Sequence, residues 1–141
     1  MASSLANEYV MQIPDMVFFQ GDTISIPFAF YDGQNDPIDL RLTEVYWYCC
    51  PYGKPKSPTL ILNSVDIQEN GEPKIVINEG TPNVCYVNLN VEDTKKMTYM
   101  KYTQQPVIVL KNNRGTRKYI RAEGNILFKP MISDFDEGMG Y

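Results

Sequence analysis

Alternation of large apolar residues with small or polar ones is the feature that most limits the fold of this chain. In the segment 23–31, Ile24, Ile26, Phe28 and Phe30 occupy every second position. Successive side chains of a β-strand point to opposite faces, so these four share one face. Because the large residues lie on just one side, the pattern predicts a strand with one buried face.

The same period, or a short apolar run, recurs along most of the chain. The further segments are 17–19, 45–49, 59–62, 74–77, 84–91, 107–110, 118–121 and 125–128. Clusters of Gly, Pro, Asn and Asp separate them, as expected for turns. No segment keeps a 3.6-residue period, and residues 92–97 are expected to form one helical turn at a corner. Seven to nine short, closely spaced strands predict an all-β sandwich or barrel.

Several local features refine this expectation. Pro27 cannot donate to a ladder, so its strand is expected at a sheet edge or at a bulge. Trp47 lies in the middle of its strand and is expected in the core. Val87, Leu89 and Val91 are expected on one face, and residues 112–115 are predicted to form a hairpin turn.

Composition narrows the function classes. The chain has 141 residues, enough for one domain, and a net charge of −4, which disfavours nucleic acid and anionic membranes as partners. It has no histidine, the commonest general base and metal ligand, so no catalytic site, cofactor or metal site is expected. Cys49, Cys50 and Cys85 are expected to be reduced, small apolar fillers.

Two groups of side chains are candidate ligand sites. Asp32, Asp36 and Asp39 cluster near a turn but do not match the calcium-loop spacing, so they are expected to bond their own backbone. Tyr46, Tyr48 and Tyr52 form a possible ligand surface, because the first two are expected to face away from Trp47. Exposed tyrosines on a sandwich suit a sugar, and a carbohydrate-binding module is therefore an alternative function.

The predicted organisation is an N-terminal arm at 1–14, a sandwich at 15–130 and a C-terminal tail at 131–141. Both flanks are too apolar for free solvated tails, so they are expected to bind neighbouring subunits or other proteins. The residues expected to make these contacts are Leu5, Tyr9, Val10, Met11, Met131, Ile132, Phe135, Met139 and Tyr141. The first residues lack the pattern of a signal peptide, and synthesis and assembly in a cytosol are expected.

The opening motifs resemble a known family. The stretch 18–40 reads "FFQGDTISIPFAFYDGQNDPIDL", and it is followed by "VYWYCCPYGK", "NVCYVNLNVEDT" and "GNILFKP". Over roughly residues 15–130 these resemble the immunoglobulin-like domain at the N-terminus of bacteriophage baseplate upper proteins. In such sandwiches a corner tyrosine bonds back to the backbone, and Tyr99 or Tyr102 would take that role.

The resemblance implies a non-enzymatic structural protein of a virion, assembled in the bacterial host cytoplasm. It would be an immunoglobulin-like adaptor or anchor that joins fibre, tail, baseplate, capsid or portal-associated components, in several copies or as a homo-oligomer. A head-decoration or head-fibre attachment protein is an alternative within the same class. The long stretch 63–83 and the proline-rich "CPYGKPKSP" depart from the family pattern.

Overall fold

The computed structural model describes residues 10–54, 56–98, 100–111 and 117–130. These residues form nine strands, one short α-helix and one 3₁₀ turn at Leu40–Leu42. The elements are β1 (Val10–Gln12), β2 (Met16–Phe19), β3 (Ile24–Ala29), β4 (Glu44–Pro51), β5 (Leu60–Asn63), β6 (Ile75–Ile77), β7 (Val84–Leu89), α1 (Val91–Lys95), β8 (Met100–Lys111) and β9 (Arg117–Lys129).

The strands form two sheets that pack face to face. The larger sheet has the order β1-β9-β8-β4-β5, with β2 also pairing with β9, and the smaller has the order β3-β7-β6. One cluster of buried apolar side chains from both sheets fills the space between them. The predicted all-β sandwich is therefore confirmed.

Strand β3 follows its sequence pattern. Its alternate residues are buried and exposed, with Ile26 2% and Phe30, just beyond the strand, 1% exposed. Among the described strands β3 pairs with β7 alone, so Pro27 lies on an edge strand, as predicted. Beyond it, the predicted turn at 32–37 is closed by a bridge between Tyr31 and Pro37.

The centre of the core lies on β4. Val45, Trp47 and Cys49 are fully buried, as the alternation predicts. The indole Nε1 of Trp47 donates to Oε1 of the buried Gln104 on β8, at 2.9 Å. Because a buried N–H without an acceptor is costly, this bond allows the largest side chain to occupy the centre of the sandwich.

Strands β8 and β9 are longer than predicted. Instead of a strand at 107–110, β8 spans twelve residues, and the two segments predicted at 118–121 and 125–128 are one strand of thirteen. Pro106 does not end β8 because it still pairs opposite Trp47 of β4. Gly124 does not end β9, since it pairs with Gln104. The predicted turn at 112–115 lies outside the described residues.

The N-terminal strands form one edge of the larger sheet. Strands β1 and β2 run parallel to β9, and residues 13–15 connect them opposite residues 124 and 125. At this step Ile13 N donates to Glu123 O at 2.8 Å. A Cβ on Gly124 would lie 2.8 Å from Ile13 O, so only glycine allows this close approach. The last part of the predicted arm therefore belongs to the sheet.

A corner joins β7 to β8. Asn90 caps α1 by accepting from Asp93 N at 2.9 Å, and the Asp93 side chain accepts from Asn90 N. Asp93 also pairs with Lys74, and Thr94 Oγ1 donates to Asp22 O at 2.8 Å. The predicted helical turn is confirmed. Val91 is the exception: it begins the helix and is 37% exposed, so it does not continue the buried face of β7.

Candidate functional site

The outer face of the larger sheet carries a groove lined by aromatic and polar side chains. Tyr46 and Tyr48 alternate with the buried residues of β4, so they point away from the core, and Cys50, itself buried, borders the same outer face. Pairing with β8 places Tyr46 beside Val107 and Tyr48 beside Gln105. The prediction that Tyr46 and Tyr48 face away from Trp47 is confirmed.

These residues border an open groove of about 760 Å³. We call it the tyrosine groove and define it by Tyr46, Tyr48, Tyr52, Gln105, Arg121 and Glu123. Three strands, β4, β8 and β9, position these side chains, together with the loop after β4. The surface is thus built on a rigid sheet, which favours a fixed binding geometry.

The two central tyrosines are ordered by their neighbours. Their rings stack with centroids 6.3 Å apart and an interplanar angle of 17°. The hydroxyl of Tyr46 donates to Glu44 Oε1 at 2.9 Å. Both tyrosines are half-buried, so each still presents part of its ring to the groove.

Tyr52 lies at the other end of the groove and is 60% exposed. Its N–H donates to Lys101 O at 3.0 Å, which fixes the backbone beyond the end of β4. The ammonium of Lys101 stands 4.1 Å from the centroid of the Tyr52 ring. This cation–π contact holds an aromatic ring and a positive charge together at the rim.

The middle of the groove is polar. Gln105 Nε2 donates to Glu123 Oε1 at 2.8 Å across β8 and β9. This bond orients an amide and a carboxylate beside Tyr48. One row of the sheet therefore combines an aromatic face with hydrogen-bonding groups, a combination that suits polar ligands and protein interfaces.

The cysteines do not supply a reactive group. All three are free and buried, and burial raises the pKa of Cys49 and of Cys85 to about 12. Burial also raises the pKa of Cys50, which borders the tyrosine groove. The predicted role as apolar fillers is confirmed for the two core thiols, whereas Cys50 lies on the outer face. All three thiols remain protonated near neutral pH.

The acidic turn is structural, as predicted. Asp32 Oδ1 accepts from Gln34 N at 2.8 Å and from Asp36 N at 3.0 Å. Asp39 Oδ1 accepts from Arg41 N at 3.0 Å. Hydrogen bonding from the Arg41 side chain lowers the pKa of Asp39. Within the described residues, no three His, Cys, Asp or Glu side chains are grouped so as to hold a metal ion.

The two predicted partner-binding flanks are described only in part. Val10 and Met11 pair through β1 with Arg121 and Ala122 of the same chain. The other predicted contact residues, which are Leu5, Tyr9, Met131, Ile132, Phe135, Met139 and Tyr141, lie outside the described residues.

Sequence reasoning found the three tyrosines but missed Gln105 and Glu123, and it assigned Arg121 to a basic strip around the hairpin instead of placing it beside the tyrosines. These residues are more than fifty positions away from the tyrosines in the chain. Only the pairing of β4 with β8 and of β8 with β9 brings them together. The alternation of side chains within β8 could have placed Gln105 on the outer face, but Pro106 makes the segment look like two separate pieces in the sequence.

Among the described residues, no helix has the length and apolarity to cross a membrane. No protein-family model matches this chain, and no curated protein matches it either.

Proposed function

We propose that the chain is a non-enzymatic structural protein of a bacteriophage virion, an immunoglobulin-like adaptor that joins tail, baseplate, fibre or capsid components. The tyrosine groove is its docking surface for another virion protein. A head-decoration or head-fibre attachment role uses the same kind of contact. Three observations support the proposal, and the groove carries it.

The strand order supports the immunoglobulin-like class. Such domains pack strands B, E and D against C, F and G, and variable-type domains add a strand beside C. Here β3, β7 and β6 pack against β4, β8 and β9, with β5 beside β4. The N-terminal strand differs from that of the constant type. Here it is divided into β1 and β2, and both pair with the last strand, β9, instead of with β3.

Three side chains occupy the positions expected of this class. Tyr102, near the start of β8, accepts a hydrogen bond from Thr98 N at 2.9 Å, which is the corner bond predicted for Tyr99 or Tyr102. Trp47 is buried on the strand equivalent to C. Gln104 stands two residues after the corner tyrosine, where antibody domains carry a disulfide cysteine, and it bonds Trp47 instead.

The first of the motifs that resemble the baseplate family, residues 18–40, includes the connections from the larger sheet into β3 and from β3 back toward β4. Gly21, with φ 83°, begins the turn into β3. Asp22 O then accepts from Thr94 of the corner helix. The last motif residue, Leu40, is fully buried, and its N–H donates to Pro82 O at 2.9 Å. The resemblance therefore involves residues that connect the two sheets.

The tyrosine groove carries the functional part of the proposal. Tyrosine and arginine are the residues enriched at protein interfaces, and here they surround a glutamine and a carboxylate on a rigid sheet. Apolar Val107 and Val109 lie beneath them on the same face. This mixture fits a protein partner that offers both apolar and hydrogen-bonding groups.

The test is incorporation into particles. Virions of the encoding phage, purified by density-gradient centrifugation, should contain the chain in many stoichiometric copies by quantitative mass spectrometry. A Tyr48→Ala/Gln105→Ala chain that is folded by circular dichroism should be depleted from particles. Tyr31→Ala, an exposed tyrosine on the smaller-sheet side, is the matched control and should incorporate normally. Absence of the wild-type chain from virions would refute the proposal.

The stacked tyrosines also favour a second candidate, a carbohydrate-binding module. Aromatic faces beside an oriented amide and carboxylate suit a sugar, whose C–H groups pack on rings and whose hydroxyls bond polar side chains. A glycan array followed by calorimetry would show saturable binding that Tyr46→Ala or Tyr48→Ala abolishes. Absence of any specific glycan response would eliminate this candidate.

A further inference from the structure

We propose that the tyrosine groove of one copy binds the C-terminal segment 131–141 of a second copy. The inference rests on the proposed function, because it names another copy of this chain as the first partner of the adaptor surface. The charge of the groove, the chemistry and length of the segment, and the direction in which β9 ends all favour this contact.

One end of the groove is basic. Lys101 lies beside Tyr52, Lys54 follows it in the same loop, and Lys129 ends β9 on the same outer face. All three lysines are exposed. Within the described residues none of them forms an ion pair, whereas Lys74, Lys95 and Arg41 do. In a chain of net charge −4, this local excess of positive charge favours an acidic ligand.

The segment 131–141 has the complementary chemistry. It reads "MISDFDEGMGY", with three carboxylates and no lysine or arginine. Phe135 lies between Asp134 and Asp136, so an apolar ring is flanked by negative charges. Methionine and aromatic side chains adapt well to an aromatic surface. The apolar residues would pack on the tyrosines while the carboxylates face the lysines.

The lengths also agree. The groove extends along β9 from Arg121 to Leu127, which pair with Val107 and Lys101 of β8. These six residues correspond to a length of about 20 Å at the rise of a β-strand. Eleven extended residues reach about 36 Å. The segment can therefore run the whole groove with several residues left to connect it to its own domain.

The end of β9 favours binding between copies. Strand β9 continues to Lys129, and Pro130 follows. Lys129 precedes this proline, which favours an extended backbone at Lys129, so the strand direction holds up to Pro130. That direction points past the end of the groove, and a return over the same face would require a reversal. Each copy thus gives one segment and receives another, which two copies satisfy reciprocally in a closed dimer and more copies satisfy in a ring or filament.

The experiment mixes two complementary variants of the chain. The first ends after Pro130, which leaves every described strand and the groove intact. The second is full length with Lys54→Glu and Lys101→Glu, which keeps the segment but reverses the charge at the groove. Sedimentation velocity should show each variant monomeric alone, the mixture forming a 1:1 complex, and the wild type forming concentration-dependent oligomers that dissociate at high salt.

Matched full-length variants control for charge and folding. Lys101→Glu alone should weaken wild-type self-association by roughly two- to fivefold, from the strength of exposed ion pairs. Lys96→Glu, at an exposed lysine after α1, should leave it unchanged. Asp134→Asn/Asp136→Asn/Glu137→Gln should weaken it as the groove variant does, without touching the sandwich.

A wild type that stays monomeric at high concentration, or a mixture that forms no complex, would overturn the inference. Compaction of the monomer that depends on segment 131–141 would also overturn it, since the segment would then bind its own groove. The proposed function would survive these results if Tyr48→Ala/Gln105→Ala still prevented incorporation into virions. It would fail separately if the chain were absent from particles.

Discussion

Replacing Gln104 with methionine should destabilise the sandwich through a single lost acceptor. Gln104 and Trp47 are both fully buried, and the indole N–H donates to Gln104 Oε1 at 2.9 Å. Gln104 Nε2 also contacts Met16 Sδ at 3.5 Å. Methionine has a similar length and volume, so repacking is small and the principal cost is the buried indole N–H left without a partner.

The expected cost is about 1–3 kcal/mol of the free energy of unfolding. For a domain of this size, about 4 °C of melting temperature corresponds to each kcal/mol, so Tm should fall by about 4–12 °C. Urea denaturation and thermal denaturation, both followed by circular dichroism, would measure both quantities, and the signal is kept when Trp47, the one tryptophan of the chain, is replaced. Gln105→Met, the same change on the outer face, should cost less than about 1 kcal/mol.

A double-mutant cycle isolates the hydrogen bond from the packing. Trp47→Phe removes the indole N–H, so Gln104→Met in that background leaves no orphaned donor. The second substitution should then cost at least about 1 kcal/mol less than it does in the wild type. If Gln104→Met costs the same in both backgrounds within about 0.3 kcal/mol, the two sites are independent and the reasoning fails.

Three further predictions concern the sheet edge, the corner and the thiols. Gly124→Ala should cost about 1–3 kcal/mol in urea denaturation, because the new Cβ would meet Ile13 O at 2.8 Å, whereas Gly33→Ala, with open space around it, should be near neutral. Tyr102→Phe should cost about 1 kcal/mol and speed amide exchange of Thr98, which loses its acceptor; unchanged exchange would contradict the corner bond. Burial raises the pKa of the Cys49 and Cys85 thiols in the folded chain from 9.0 to about 12. The unfolded chain therefore loses these protons at lower pH than the folded chain does, and the free energy of unfolding should fall as pH rises above 9. A Cys49→Ala/Cys85→Ala chain should lose that part of the pH dependence, and an unchanged slope would contradict the assignment.

Local sequence patterns determined the strands whose two faces differ in polarity. Ile26, Phe30, Val45 and Trp47 alternate with polar or small residues, and each lies buried as predicted. The turn at 32–37 was equally readable, because Asp32 supplies its own acceptor for the backbone. These features depend on neighbours within a few residues, which is why one sequence was enough to predict them.

The exact course of β8 and β9 depended on the tertiary structure. Gln104 is polar yet fully buried, so it breaks the apparent alternation of β8, and its burial is possible only because Trp47 meets it from another strand. Gly124 looks like a strand breaker, but Ile13 requires its missing side chain. Neither partner is near in sequence, and no local rule could have identified them.

The tyrosine groove shows the same division. The orientation of Tyr46 and Tyr48 followed from period-two alternation, but their proximity to Gln105 and Glu123 required the registers of two strand pairs. Side-chain direction is a local property of an extended backbone, so the sequence by itself determines it. The choice of partner strand and register is set by the packing of the whole core, and only the tertiary structure decided which side chains share a surface.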